Sequence, residues 1–255
     1  MPQGSSASSG WFVEIINEVI KGLEQVAAFL DDVIVVDSDP TTHVKTMRAP
    51  FERLWKHILK LSPSKARLGA TNADFLGHSI SPAGVRRNAE KLSALIKMPM
   101  PRDLKQVRAL TGGMAYCRKF LCHLSTWIRP ITSLVRKGVK LMFTPAMEVI
   151  VRDFFAELAT PPILAFPDLD AVADGSSPFH VYCGACIAGF GAALEQEQPD
   201  GSVRPISYIS RAALDSERHW TPLGLEACSI FWGIKRLRGY FWGTRFRILS
   251  DHKVL

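Results

Sequence analysis

The chain has 255 residues, with 31 Lys and Arg against 24 Asp and Glu, a formal net charge of +7. Hydrophobic residues make up 47 % and charged residues 22 %, ordinary for two or three folded domains. No apolar stretch reaches the roughly 18 residues of a membrane span, and the opening MPQGSSASSGW lacks the basic start and apolar run of a signal peptide.

Charge is unevenly placed. Residues 1–85 carry 8 basic and 9 acidic side chains, residues 86–140 carry 13 and 2, and residues 141–255 carry 10 and 13. The whole excess therefore lies in one block, whose only acids are Glu90 and Asp103. A local cationic surface attracts polyanions through Coulomb forces and counterion release. A helix face that is merely solvated is the alternative. Five Cys, an odd number, argue against a disulfide framework and fit a reducing, intracellular compartment, cytoplasmic or nuclear.

In chain order, residues 11–28 repeat apolar side chains at helical steps, through Trp11, Phe12, Ile15, Ile16, Val19, Ile20 and Leu23. Residues 25–36 are an apolar run with Asp31 and Asp32 in the middle, which predicts a hairpin with the acids at its turn. Residues 42–60 predict a helix stopped by Ser62-Pro63-Ser64. Residues 75–80 predict a strand and residues 81–84 a turn. Helices are expected over 89–96, 104–111, 118–134 and 147–158, followed by a linker marked by Pro161, Pro162 and Pro167. The pattern then becomes α/β: strands at 179–183, 189–195, 204–210 and 244–250, with a helix over 223–238.

The Asp31-Asp32 pair carries the most chemistry. Adjacent carboxylates among apolar neighbours are costly to desolvate unless a cation sits between them, and a hard divalent ion such as Mg²⁺ suits oxygen ligands. Polymerases use two such ions to activate the attacking oxygen and stabilise the leaving group. An exposed hairpin turn rich in Asp is the plainer reading. Cys183 and Cys186 form a lone CxxC, without the second ligand pair of a structural zinc site. Two small residues in a strand are expected there. Asp168, Asp170 and Asp174 lack the Gly and closing Glu of a calcium loop and are expected in a solvated connection. His78 is expected as a hydrogen-bonded structural residue rather than a ligand.

Phe29-Leu30-Asp31-Asp32 between two apolar strands resembles the Tyr-x-Asp-Asp box of reverse transcriptases, with Phe29 in place of Tyr. Other segments resemble gypsy-type retrotransposon sequences in the same order. These are Met1-Pro2-Gln3-Gly4, Asn17-Glu18-Val19, Phe51-Glu52-Arg53-Leu54, Leu61-Ser62-Pro63-Ser64-Lys65, Phe75-Leu76-Gly77-His78, Tyr116-Cys117-Arg118-Lys119-Phe120, Pro130-Ile131-Thr132-Ser133-Leu134, Pro205-Ile206-Ser207-Tyr208-Ile209-Ser210-Arg211 and Ser250-Asp251-His252-Lys253. The resemblance implies an α+β fold: a partial right-hand polymerase palm over 1–85, a basic helical thumb and connection over 86–165, and an α/β RNase H-like domain over 166–255.

It further implies RNA-directed DNA synthesis with degradation of the RNA strand, dependent on Mg²⁺. Metal-holding and catalytic acids would be Asp31 and Asp32 in the palm, and Glu226 and Asp251 in the RNase H half. Phe75, Leu76, Gly77 and His78 resemble a primer-gripping hairpin. With Arg118, Lys119, Arg136 and Lys137 they are the expected nucleic-acid contacts. The implied partners are RNA–DNA hybrid or duplex nucleic acid and a fuller Pol copy, with no membrane. Three departures lower the expected activity of the chain alone. The first palm Asp of the family falls before Met1, the first RNase H Asp falls on Gly184, and the family's last acid falls beyond Leu255. A non-catalytic nucleic-acid-binding or scaffolding remnant is the competing expectation.

Overall fold

The computed structural model describes residues 5–122, 124–159 and 163–250. Met1-Pro2-Gln3-Gly4, the linker residues Pro161 and Pro162, and Asp251, His252 and Lys253 lie outside the described residues. Two compact units divide the chain at Leu76 and Gly77.

The first unit begins with helix α1 (Ser8–Ile20), followed by the antiparallel hairpin β1 (Val26–Phe29) and β2 (Asp32–Val35), helix α2 (Pro40–Lys56) and strand β3 (Ala73–Phe75). The start of α2 is written in the sequence. Asp39 is extended, its carboxylate accepts from the Thr42 N–H at 2.9 Å, and Pro40 takes an early helical position where no N–H is needed. Arg53 on α2 donates to the Val19 carbonyl at 2.9 Å and the Lys21 carbonyl at 2.6 Å, satisfying acceptors that the end of α1 leaves open. The helix ends at Lys56 rather than continuing to residue 60. His57 caps it, and Ile58 turns the chain with φ 58°.

The second unit opens with the hairpin β4 (His78–Ser81) and β5 (Gly84–Arg87), which pairs His78 with Arg87. Gly84 is required there: its φ is 125°, and a Cβ would stand 2.2 Å from the Leu164 carbonyl oxygen. Helices α3 (Ala89–Ile96) and α4 (Leu104–Tyr116) follow, each started by a side-chain cap, from Asn88 and Asp103. The expected continuous helix over 118–134 is instead a 3₁₀ turn (Arg118–Phe120), α5 (Leu124–Trp127) and α6 (Arg129–Ser133). Pro130 sits in the first turn of α6, where it can start a helix but could not sit inside one without losing a hydrogen bond. With α7 (Pro145–Ala159), these helices enclose a core that includes Val107, Met114, Leu124, Ile131, Phe154 and Leu158.

The residues from 168 to 174 form a helix, α8 (Leu169–Asp174), rather than an irregular solvated connection. Asp168 caps it by accepting from the Ala171 N–H at 3.0 Å, and Gly175 ends it in the left-handed region. A four-stranded sheet follows, in the order β8-β7-β6-β9, from β6 (Phe179–Cys186), β7 (Gly189–Glu197), β8 (Val203–Ala212) and β9 (Phe246–Leu249). β6, β7 and β8 are antiparallel neighbours, and β9 runs parallel to β6. Helix α9 (Pro222–Phe241) makes the crossover to β9 and packs Leu237 and Phe241 with Phe179, Val181 and Leu194. Each fully buried side chain of that size contributes about 2–3 kcal/mol of burial.

Candidate functional site

In the first unit, Phe29 pairs with Asp32, which leaves Leu30 and Asp31 as a two-residue turn. Leu30 has φ 52°, a conformation that tight hairpin turns usually give to glycine or asparagine. The turn therefore holds a bulky residue under backbone strain at the position that aims the acids. Asp31 lies in the turn, and Asp32 is the first residue of β2. Both are exposed, as is Phe29 at 54 %. The desolvation argument for a cation between them therefore does not hold: water reaches both carboxylates. Asp31 also lines a hollow of about 490 Å³ with Ser8, Trp11, Phe12 and Ile15, none of which adds a charged ligand.

Of the expected nucleic-acid contacts, half-buried Phe75 and exposed Leu76 close the first unit, with φ 50° at Leu76. Gly77 and His78 open the second. Gly77 has φ 73°, and a Cβ there would meet the Tyr116 hydroxyl at 2.5 Å. The His78 ring stacks on Tyr116 at 5.3 Å between centroids and tilts against Phe120 at 5.7 Å. Its Nε2 lies 3.3 Å from the Tyr116 hydroxyl, while its Nδ1 is buried without a partner. Burial first, then the charges of Lys119 and Arg87, push His78 down to about 4, so the ring is neutral at pH 7.

The basic block is only partly a surface. Arg87 is buried, lies 5.0 Å over the Tyr116 ring and contacts the Cys117 thiol. Arg118 and Lys119 are half-buried, with Lys119 5.3 Å over the Phe120 ring and its amine lowered by burial and by Arg87. Arg136 and Lys137 are exposed, and Arg136 stands 3.8 Å from Asp215. Arg102, Lys105 and Arg108, at the start of α4, are exposed as well. Charge along the sequence could not separate these classes. Alternation on β5, with Arg86 out and Arg87 in, was the one readable signal.

The RNase H-like half builds a groove of about 580 Å³ at the end of β6, bordered by Gly184, Ala185, Cys186, Glu226, Leu249 and Ser250. Glu226 projects from the second turn of α9 and is buried. Its Oε1 accepts from the Ala185 N–H at 3.0 Å, while Oε2 is buried without a hydrogen-bond partner. Gly184 pairs with Gly191 in the sheet, and a Cβ built on it would meet nothing within 4 Å. A side chain at 184 would therefore extend into open space in the lining that Glu226 shares. Asp251 lies outside the described residues. Burial first, with Glu226 adding, pushes the Cys183 thiol up to about 11, whereas Cys186 is exposed. The CxxC pair is thus a buried thiol and a strand-end residue, not an activated thiol pair.

A carboxylate oxygen without a hydrogen-bond partner, on a residue that borders a groove, suits a hard cation, but the donor set is incomplete. Gly184 offers no side-chain ligand, and among the described residues no three His, Cys, Asp or Glu side chains stand close enough to hold a metal. The described residues do not fit a two-ion centre in either unit.

Residues 1–80 match the reverse transcriptase (RNA-dependent DNA polymerase) family, and residues 174–255 match the RNase H-like domain found in reverse transcriptase. Over all of its length the chain is 30 % identical to the retrovirus-related Pol polyprotein from transposon 297 of Drosophila melanogaster. Over its whole length the chain is similar to retrotransposon Pol polyproteins. It is also 25 % identical to the transposon Tf2-3 polyprotein of Schizosaccharomyces pombe. The segment spans 23 % and 19 % of the lengths of those two polyproteins. In fold it is similar to the foamy viral protease-reverse transcriptase solved in complex with double-stranded DNA, at TM-score 0.83 and 21 % identity, over 99 % of this chain and 52 % of that one. The same viral protein with RNA/DNA hybrid gives TM-score 0.81, over 99 % of this chain and 33 % of that one. The fold is therefore the α+β arrangement of reverse transcriptase palm and thumb with an RNase H-like domain. Reverse transcriptases and RNases H generally use divalent metals. Among the described residues no helix is long and apolar enough to cross a membrane.

Proposed function

We propose that this Pol segment holds RNA–DNA hybrid or duplex nucleic acid without reading its sequence, and does not by itself complete either catalytic centre. The observation that carries the reading is the set of exposed cations in the basic block, Lys105 and Arg108 on α4 and Arg102, Arg136, Lys137 and Lys140 in the segments between helices. Such cations meet phosphates, which fix position but carry no sequence information. The solved relatives in fold bind double-stranded DNA and RNA/DNA hybrid, and that is the ligand class proposed for this chain.

Asp31, Asp32, Glu226 and Asp251 are the acids that would belong to Mg²⁺ centres in the parent machinery. With Gly184 facing Glu226, the reading assigns catalysis to a fuller Pol copy acting in the same intracellular setting. The competing reading is a non-catalytic nucleic-acid-binding or scaffolding remnant.

The test is hybrid affinity measured against salt. Replacing Arg118, Lys119, Arg136 and Lys137 with Ala should flatten the slope, by about 0.9 for each phosphate no longer neutralised. The half-burial of Arg118 and Lys119 makes Arg136 and Lys137 the larger contributors. An unchanged slope in this variant, and in one lacking Lys105 and Arg108, would sink the reading. Cleavage of the RNA strand by the wild-type chain, abolished by Glu226→Gln, would overturn its non-catalytic part.

A further inference from the structure

Helix α9 presents its core side through Leu225, Ser229, Gly233 and Leu237. The opposite side carries Phe231, Lys235 and Arg238, continued by the cap residue Trp242, at steps of four, three and four residues. These steps return to the same angular position at 3.6 residues per turn, so the four side chains form one outward stripe about 16 Å long. Phe231 is 67 % and Trp242 88 % exposed, and both cations are exposed. The surrounding charge has one sign. Residues 227–250 contain Lys235, Arg236, Arg238, Arg245 and Arg247, all exposed, and no Asp or Glu.

We infer that this face of α9 binds single-stranded nucleic acid, with unpaired bases stacked on Trp242 and Phe231 and phosphates on Lys235 and Arg238. An aromatic ring standing open to water gains by stacking on a flat π surface, and unpaired bases provide one without sequence preference. A paired duplex hides the faces of its bases, so it would use the cations but not the rings. A protein groove that took up an amphipathic helix would call for an unbroken apolar stripe. Here two charges interrupt it, and residues 227–250 hold no acid to steer a basic partner. The inference is independent of duplex binding by the helical basic block and uses different residues.

The experiment titrates the whole chain with a fluorescent single-stranded oligonucleotide of about 20 nucleotides, and separately with RNA–DNA hybrid. Phe231→Ala with Trp242→Ala should weaken single-strand binding about tenfold or more, and Trp242→Phe should restore most of the Trp242 share. Lys235→Ala with Arg238→Ala should flatten the salt dependence for the single strand. Hybrid affinity should change less than about twofold in the aromatic variant, because paired bases cannot stack on the rings. All four side chains are exposed, so the variants should keep the wild-type melting curve, which is recorded alongside. The inference is overturned if single-strand affinity is the same in all variants, if the wild type binds no single strand, or if the aromatic substitutions change only self-association. Failure of the duplex reading would show separately, as an unaltered hybrid slope in the variants of the helical basic block.

Discussion

The acids of the first unit and the acid of the RNase H-like groove are opposite solutions to placing a carboxylate. Asp31 and Asp32 sit on a strained turn, both in water, with no third ligand group among the described residues. Glu226 is buried, with one oxygen tied to the sheet through Ala185 and the other unsatisfied. Exposed acids cost the fold little and specify little. A buried acid with an orphan oxygen carries a desolvation cost that only a proton, a donor or a cation relieves. Glu226 therefore belongs to a candidate site with a defined geometry, whereas the surroundings of Asp31 and Asp32 define none among the described residues.

The sharpest way to test that contrast is to return a ligand to the groove. Gly184→Asp places a carboxylate in the open space that Glu226 also borders, and carboxylate count tunes divalent affinity. Mn²⁺ titration should show affinity about tenfold or more above wild type. Wild-type affinity in the variant would mean that Glu226 and residue 184 do not converge.

Next in size is the anchor. Glu226→Ala strands the Ala185 N–H and should cost about 1–2 kcal/mol in urea unfolding. Glu226→Gln keeps an acceptor for that N–H and a side chain of the same size, and should stay within about 0.5 kcal/mol of wild type. Equal losses in both variants would assign the effect to packing rather than to the hydrogen bond.

Burial also governs His78, and here the sign runs with acid. Its folded value of about 4 lies below the ordinary 6.5, so its contribution is fully present above pH 6.5 and is lost as pH falls toward 4. Between pH 7 and 5 this group should remove about 1 kcal/mol, discounted because the ring is half-open to water. The pH dependence of the urea midpoint should shrink in His78→Gln. An identical dependence would show that other groups set it.

The smallest effect belongs to the exposed pair. Asp31→Asn and Asp32→Asn should leave the melting temperature within about 2 °C of wild type. A larger shift in either would mean that the turn acids do bear on folding.

Much of the fold was legible because periodicity and caps are local. The hairpin over 26–35 follows from its apolar run, α3 was readable to the residue, and the strand–helix alternation after residue 179 stands. What failed depended on distant partners. The helix expected over 118–134 breaks after Phe120 and again at Ile128, and in the first turn of the piece between, α5, the Ser125 N–H bonds the Ser210 hydroxyl, 85 residues away. α8 is only six residues long, too short for periodicity, and its Asp168 cap was read as a solvated charge. At the candidate sites, residue types pointed to Asp31, Asp32 and Glu226. The exposure of Asp31 and Asp32, the burial of Glu226, and the burial of Arg87 within a block counted as surface charge exist only in three dimensions.

The pairing of Ser125 with Ser210 reaches further than a broken helix. The Ser125 backbone N–H bonds the Ser210 hydroxyl at 3.0 Å, and the Ser125 hydroxyl bonds the Ser210 carbonyl at 2.9 Å, both buried. This clasp joins the helical core of α4 to α7 to the sheet core under α9. Neither core can open without exposing polar atoms that the other satisfies. In amide exchange, β8 and α5 should therefore report one shared opening free energy, and the two cores should behave as a single cooperative foldon. A hydroxyl pair would then set how many independent pieces the second unit has, although nothing in its chemistry suggests catalysis.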